Sequence, residues 1–193
     1  MDFQNSVADD VLKKMTAGTV LDVGTGPGHL LIKIARGNPS LEVIGLDVSR
    51  DMVKIAKANA RAASEGMRLL VGDVAEIGMK TESVDLVVAT LSFHHWPSPG
   101  RAFEEFFRVL KTGGEVWIFE VNRDMTPQSE EWMKKKYKLF TRKAVGLGIK
   151  ILCRHTITVV NAEEILRNQK SRFDQYKIDQ IEPMLIKITL TKK

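Results

Sequence analysis

The sequence predicts an α/β fold: a doubly wound, mostly parallel sheet of seven strands closing with an antiparallel C-terminal hairpin. Three observations predict it. Short apolar runs alternate with amphipathic stretches through the first 121 residues, the pattern of a parallel sheet covered by helices. A glycine-rich turn follows the first apolar run. The segment Phe173–Leu190 reads as two strands joined at Glu182-Pro183.

Taken in order, Val7, Val11, Leu12 and Met15 form one apolar face of a leading helix. The strands expected next are Thr19–Val23, Glu42–Asp47, Arg68–Val71, Val84–Leu91 and Glu115–Val121. Each is rich in Val, Ile or Leu, as strands buried on both faces are. Ser49 is the expected N-cap of an Ala- and Lys-rich helix over Arg50–Ala60. Phe103, Phe106, Phe107 and Leu110 recur at i, i+3, i+4 and i+7 with Glu104, Glu105 and Arg108 facing away, so a further amphipathic helix is expected. Gly113-Gly114 is expected to end it and turn the chain into the fifth strand. After Val121 the alternation breaks into a long basic insertion, residues 122–158, and a helix over Asn161–Gln169 follows. The whole is one domain, residues 1–193, with residues 1–17 as its leading helix.

The 193 residues are 44% hydrophobic and 27% charged, which excludes a disordered or collagen-like chain. No apolar run approaches the roughly 20 residues of a membrane-spanning helix. The opening residues are partly acidic and carry no long apolar stretch, so no secretory signal is read there and a cytoplasmic location is expected. One cysteine, Cys153, excludes an internal disulfide or a cysteine-clustered zinc site, and no metal is expected. The net charge of +5 is local. The stretch Met133–Arg154 holds eight Lys and Arg and no acid, leaving −3 on the remainder.

Function is carried by the turn after the first strand, VLDVGTGPGHL over Val20–Leu30. Gly24, Gly26 and Gly28 alternate through it, with Asp22 just ahead. Glycine admits positive φ and close approach of a ligand, and the loop opens onto a helix N-terminus suited to an anionic group. The dinucleotide pattern G-x-G-x-x-G does not fit: counted from Gly24 its third position is His29, and from Gly26 it is Leu31.

The D-x-G-x-G-x-G pattern resembles the first motif of class I S-adenosylmethionine-dependent methyltransferases. Further positions match that family in order. Asp47 closes the second strand in VIGLDVS, nineteen residues after Gly28; Asp73 follows the third in LLVGDVAEI; DLVVATLSFHHW is the fourth strand and its loop. RVLKTGGEVWIF resembles the family's helix-turn-strand signature, with Thr112 in place of the usual proline. The resemblance is strong over Thr19–Val121, weak over the terminal hairpin and nearly absent over the insertion. The HHW after the fourth strand is most similar to the small-molecule group related to ubiquinone/menaquinone-biosynthesis methyltransferases.

This resemblance implies a Rossmann-like sheet with S-adenosyl-L-methionine as cofactor. It implies a cofactor site of Asp22, Gly24, Thr25, Gly26, Gly28, Asp47, Val48, Met52, Asp73, Val74 and Leu91. The glycines would hold the methionine moiety, Asp47 both ribose hydroxyls and Asp73 the adenine. Methyl transfer needs collinear nucleophile, carbon and sulfur in a dry site, and a base only when the acceptor arrives protonated. His95 and His94 are the candidate catalytic residues, beside the expected position of the methyl. The plainer alternative is that one of them packs against Trp96. His155 and Tyr137 in the insertion are further candidates, and Cys153 reads as a small buried apolar residue.

The acceptor expected is a small molecule. LSFHHW is not the (N/D/S)PP(Y/F) loop of enzymes methylating exocyclic or amide nitrogens, and no Pro-Cys nucleophile for cytosine C5 is present. A single cysteine argues against arsenic methylation. The insertion, interleaving Trp132, Met133, Tyr137, Leu139 and Phe140 with cations, leaves three readings open. It is an amphipathic lid, with Gly146 and Gly148 as a flexible point or a turn. Or Lys134–Arg154 recognises an anionic acceptor, including tRNA or rRNA. Or it makes transient contact with an anionic membrane. A catalytically silent, cofactor-binding partner subunit is the remaining alternative.

Overall fold

The structure, a computed structural model, describes residues 3–63, 66–122, 127–129, 131, 135, 159–168 and 172–193. Its elements in chain order are α1 (Phe3–Lys14), β1 (Gly18–Val23), α2 (His29–Gly37), β2 (Leu41–Asp47), α3 (Arg50–Ala62), β3 (Arg68–Val71) and β4 (Val84–Thr90). A 3-10 turn (Phe93–His95), α4 (Pro99–Val109), β5 (Leu110–Val121), α5 (Val159–Arg167), β6 (Phe173–Glu182) and β7 (Leu185–Lys192) follow. The seven strands lie in the order β3-β2-β1-β4-β5-β7-β6. The first five are parallel; β7 pairs antiparallel with both β5 and β6. The order reverses between β1 and β4, and ligands of open α/β sheets bind outside the carboxyl ends of strands at such a switch point.

Strand alternation divides the core into two layers. Val20, Val43, Leu86, Val88, Trp117 and Phe119 face α1 and α2. Leu21, Val23, Ile44, Val87, Val116 and Ile118 face the opposite layer, which contains α4 and α5. In that second layer Phe103 and Phe106 of α4 are fully buried, each stabilising the fold by roughly 1.5–3 kcal/mol through apolar burial. Trp96 meets Phe106 edge-on at 5.4 Å and Phe93 at 4.9 Å. This aromatic cluster anchors the 3-10 turn after β4 to α4, and so positions the two histidines in that turn.

Several element ends differ from the sequence expectation. Leu110 opens β5 rather than closing α4: it pairs with Val84, and the chain bulges through 111–114 before Glu115 pairs with Leu86. Gly113, at φ 76°, sits inside that bulge. Either assignment buries Leu110, so its apolar periodicity did not discriminate. β4 stops at Thr90, because Leu91 takes φ 54°. The last helix is Val159–Arg167, two residues earlier than expected, and the hairpin turns at Pro183 and Met184. Ser49 caps α3 as expected, its Oγ accepting from Met52 N at 3.3 Å.

A charged clamp fixes the loop after β3. Arg108 donates to Glu105 through Nε (2.7 Å) and Nη2 (2.8 Å), and to the carbonyls of Met79 (2.7 Å) and Ile77 (2.6 Å). Glu105 in turn accepts from Ile77 N at 2.6 Å. The Arg108 hydrogen bond, first among the causes, holds the Glu105 carboxyl below its ordinary pKa. Arg108→Ala is expected to destabilise the fold by about 1–2 kcal/mol, discounted for partial exposure, as read by urea unfolding.

The cations and aromatics of the basic insertion, with Tyr137, Gly146, Gly148, Cys153 and His155, lie outside the described residues, apart from Lys135, which is exposed. Among the described residues no helix is long and apolar enough to cross a membrane.

Candidate active site

The glycine turn at the end of β1 is held from its two neighbouring strands, β2 and β4. Gly24 N and Thr25 N both donate to Leu46 O, at 2.8 and 3.1 Å. Gly26 N donates to Asp47 Oδ2 at 2.8 Å. From β4, Ser92 Oγ donates to Val23 O at 3.0 Å. Gly24 has φ 70°, and a Cβ there would collide with the Ser92 side chain. The site therefore requires glycine at this position for both conformation and space.

Asp22 lies beneath this turn and is 1% exposed. Its Oδ2 accepts from Thr25 Oγ1 at 2.8 Å, while Oδ1 is buried without a hydrogen-bond partner among the described residues. Burial raises its pKa from 3.8 to about 7; the Thr25 hydrogen bond opposes the shift and the Asp47 charge adds to it. A buried orphan acceptor calls for a donor or a cation. The ammonium of an amino-acid-like ligand is such a group, so the residues present fit the expected cofactor.

Asp47, at the end of β2, accepts from Gly26 N through Oδ2 and from Ser49 N through Oδ1 at 2.9 Å. Each oxygen keeps a further lone pair for a ligand hydroxyl. Asp73 accepts from Ala75 N at 2.8 Å and is exposed.

These strand ends surround a cavity of about 310 Å³. Of the residues expected from sequence, Gly24, Asp47, Val48, Asp73, Val74, Leu91 and His95 line it. Asp22, Thr25, Gly26 and Gly28 do not line it: Asp22 lies in β1 and the other three in the turn that follows the cavity-lining Gly24. Met52 lies on α3 beyond Val48; both are exposed apolar side chains, Val48 at 73%. The cavity also takes in Ser92, from the Leu91–His95 loop expected to flank the methyl, and Leu46, Gly72, Trp96 and Pro97, which the sequence did not place in a site. Ser92 and Trp96 lay inside the quoted LSFHHW loop, so that motif was the available signal.

His94 does not line the cavity. Its Nδ1 lies 2.9 Å from Glu120 Oε2, and its ring centroid is 4.0 Å from that of His95. Trp96 instead makes its ring contacts with Phe93, Phe103 and Phe106. Glu120 was missed by the sequence reading. Its signal is an acid at a core-facing position, two residues after Ile118, where strand period places it in the buried layer.

A family model described as "Methyltransferase domain" matches residues 14–182. The ubiquinone/menaquinone biosynthesis C-methyltransferase of Syntrophotalea carbinolica is 30% identical over 111 residues, 58% of this chain and 47% of that protein. The chain spans about half the length of the curated relatives it matches. Among solved structures, a candidate S-adenosyl-L-methionine-dependent methyltransferase from Methanococcus maripaludis superposes with a TM-score of 0.74. It is 26% identical, with 98% of this chain and 85% of that one covered. The plantazolicin methyltransferase BpumL, solved with a triazolic desmethylPZN analog and SAH, gives 0.77 at 19% identity, covering 100% and 86%; it shows the shared fold.

Proposed function

Because this chain belongs to the methyltransferase-domain family, with S-adenosyl-L-methionine as its cofactor, we propose that it transfers a methyl group to a small-molecule acceptor. The observation that carries the reading is the cavity at the sheet's switch point, together with the buried, unpartnered Asp22 oxygen two residues before the cavity-lining Gly24. When bound, S-adenosyl-L-methionine supplies an electrophilic methyl on a sulfonium whose charge is lost on transfer.

Asp22 pairs with the ammonium of the methionine moiety, and the Gly24–Gly28 turn, with Thr25, cradles the rest of it. Asp47 accepts from the ribose hydroxyls through its remaining lone pairs. Val48 and Val74 offer apolar walls to the adenine, with Met52 in the first turn of α3 and Asp73 facing the exocyclic amine. The loop from Leu91 to His95 flanks the methyl and excludes water from it. Where the acceptor is a hydroxyl, His94 or His95 takes its proton. The S. carbinolica relative's role in quinone biosynthesis and the apolar walls of the cavity favour a small organic acceptor.

The test is transfer from methyl-labelled S-adenosylmethionine into a cell extract separated into small molecules, RNA and protein. Label is expected in the small-molecule fraction. Label in RNA would move the assignment to an RNA methyltransferase working through Lys134–Arg154. No label, with cofactor binding established, would make the chain a silent partner subunit.

Asp22 gives a pH prediction. Through this group the cofactor-free fold loses stability as pH rises from 3.8 towards about 7, because the unfolded chain releases the proton first. Cofactor binding has the opposite dependence, since the ammonium requires the carboxylate. The ionised fraction rises from about a tenth at pH 6 to about three quarters at pH 7.5, so affinity should tighten roughly eightfold. Calorimetry at the two pH values checks this, and Asp22→Asn should flatten the dependence.

A further inference from the structure

Arg108 and Glu105 have so far only a structural part, yet the loop they hold carries a wall of the cavity. Residues 72–83 join β3 to β4 without helix or strand, and the first three, Gly72, Asp73 and Val74, line the cavity. Ordering such a loop costs conformational entropy, which a ligand must supply unless the protein has already done so. Here the loop is tied along its length. Gly72 N donates to Asp47 O at 3.0 Å. Beyond Val74 the hold passes to α4: Glu105 accepts from Ile77 N, and Arg108 donates to Ile77 O and Met79 O. Three main-chain groups of the loop thus end on one i, i+3 pair. Glu82 N and Ser83 N then donate to the main-chain carbonyls of Arg108 and Val109. The Ile77 side chain is buried, and only Ala75 and Glu76 separate it from the cavity-lining Val74. The same helix holds a second lining residue, since Trp96 meets Phe103 and Phe106 edge-on. α4 therefore braces two stretches of cavity wall, one through charge and the other through aromatic rings.

We propose that Arg108 and Glu105 are positioning residues for cofactor recognition: by fixing Ile77 they hold Asp73 against the 6-amino group of the purine and set the preference for adenine over a 6-oxopurine. The proposal rests on the S-adenosylmethionine site described above, with Asp73 at the adenine. Among the described residues the Asp73 side chain bonds only to Ala75 N, at 2.8 Å, within its own loop. Its position is therefore the loop's position. A carboxylate accepts from an amino group but meets a carbonyl oxygen lone pair to lone pair. Discrimination between the two is as sharp as the carboxylate is fixed. The guanidinium fork suits this task, because it reaches two carbonyls and a carboxylate at once, which a lysine ammonium on a flexible stem does not do in one geometry.

Calorimetry on the full chain compares S-adenosylhomocysteine with S-inosylhomocysteine, which carries oxygen in place of the amine. The parent is expected to prefer the adenine compound by at least about tenfold. Arg108→Ala and Glu105→Ala should each reduce that preference to about threefold or less, by weakening the adenine ligand, because the carboxylate is no longer held in place. Arg108→Lys, which keeps the charge and loses the fork, should fall between Arg108→Ala and the parent. Val11→Ala is the control: it opens a fully buried site on α1, in the other core layer, and should lower the melting temperature with the preference unchanged. An unchanged preference in Arg108→Ala and Glu105→Ala, or an equal fall in Val11→Ala, would overturn the proposal. A parent that binds both ligands alike would overturn it too and leave the cofactor assignment standing. A parent that binds neither would bring down the cofactor site itself, and the proposal with it.

Discussion

Gly24→Ala is expected to lower stability by roughly 2–5 kcal/mol, from a left-handed backbone penalty of about 1–2 kcal/mol and overpacking of about 1–3 kcal/mol. For a chain of this length that is a fall in melting temperature of about 4–20 °C. The steric part has a named partner, Ser92, whose side chain occupies the space a Cβ would need. Gly26 is the control. It has a positive φ of 53°, yet nothing lies within 4 Å of a Cβ built there. Gly26→Ala should therefore carry only the conformational penalty. Calorimetry of each variant with S-adenosylmethionine reads the second consequence: because Gly24 lines the cavity, its displacement should weaken binding more than the Gly26 change does. Equal effects at the two positions would mean that backbone conformation alone makes this turn glycine-rich.

The contrast between these glycines shows how much the chain declares locally. Gly24, Asp47 and Asp73 are legible because each belongs to a strand-end motif of a few residues, and their spacing places them at successive strand ends. The five parallel strands are legible for a similar reason, since parallel strands covered by helices are apolar runs, and the antiparallel pair is legible from the turn at Glu182-Pro183. Ser92 and Glu120 are different. Ser92 acts on Val23, 69 residues away, because β4 lies beside β1. Glu120 acts on His94, 26 residues away, because β5 lies beside β4. Strand order is a property of the whole sheet, so no window containing only one partner carries it. The orphan oxygen of Asp22 is likewise invisible in sequence: the motif marks an acid there, but its lack of a second donor emerges only once β1 is packed between β2 and β4. Leu110 failed for the opposite reason, since a helix end and a strand start both demand an apolar residue at that position.

Asp47→Ala should weaken S-adenosylmethionine binding by roughly 1.5–3 kcal/mol, the size of hydrogen bonds to a charged group, or about 10- to 100-fold in Kd. Two losses contribute. The ribose hydroxyls lose their acceptor, and the site loses the strut between the glycine turn and the start of α3, because one carboxylate joins Gly26 N to Ser49 N. The second loss predicts a lower melting temperature without any ligand, which a residue serving only the ribose would not produce. A third effect runs the other way. The Asp47 charge is one of the causes raising the Asp22 pKa, after burial. Its removal lets Asp22 ionise at lower pH, so the rise in cofactor affinity with pH should begin earlier in Asp47→Ala than in the parent. Calorimetry from pH 5.5 to 7.5 separates the outcomes. Weaker binding with its pH dependence displaced downward is expected; weaker binding with an unmoved dependence would show that the two carboxylates act independently. Unchanged affinity would remove Asp47 from the site.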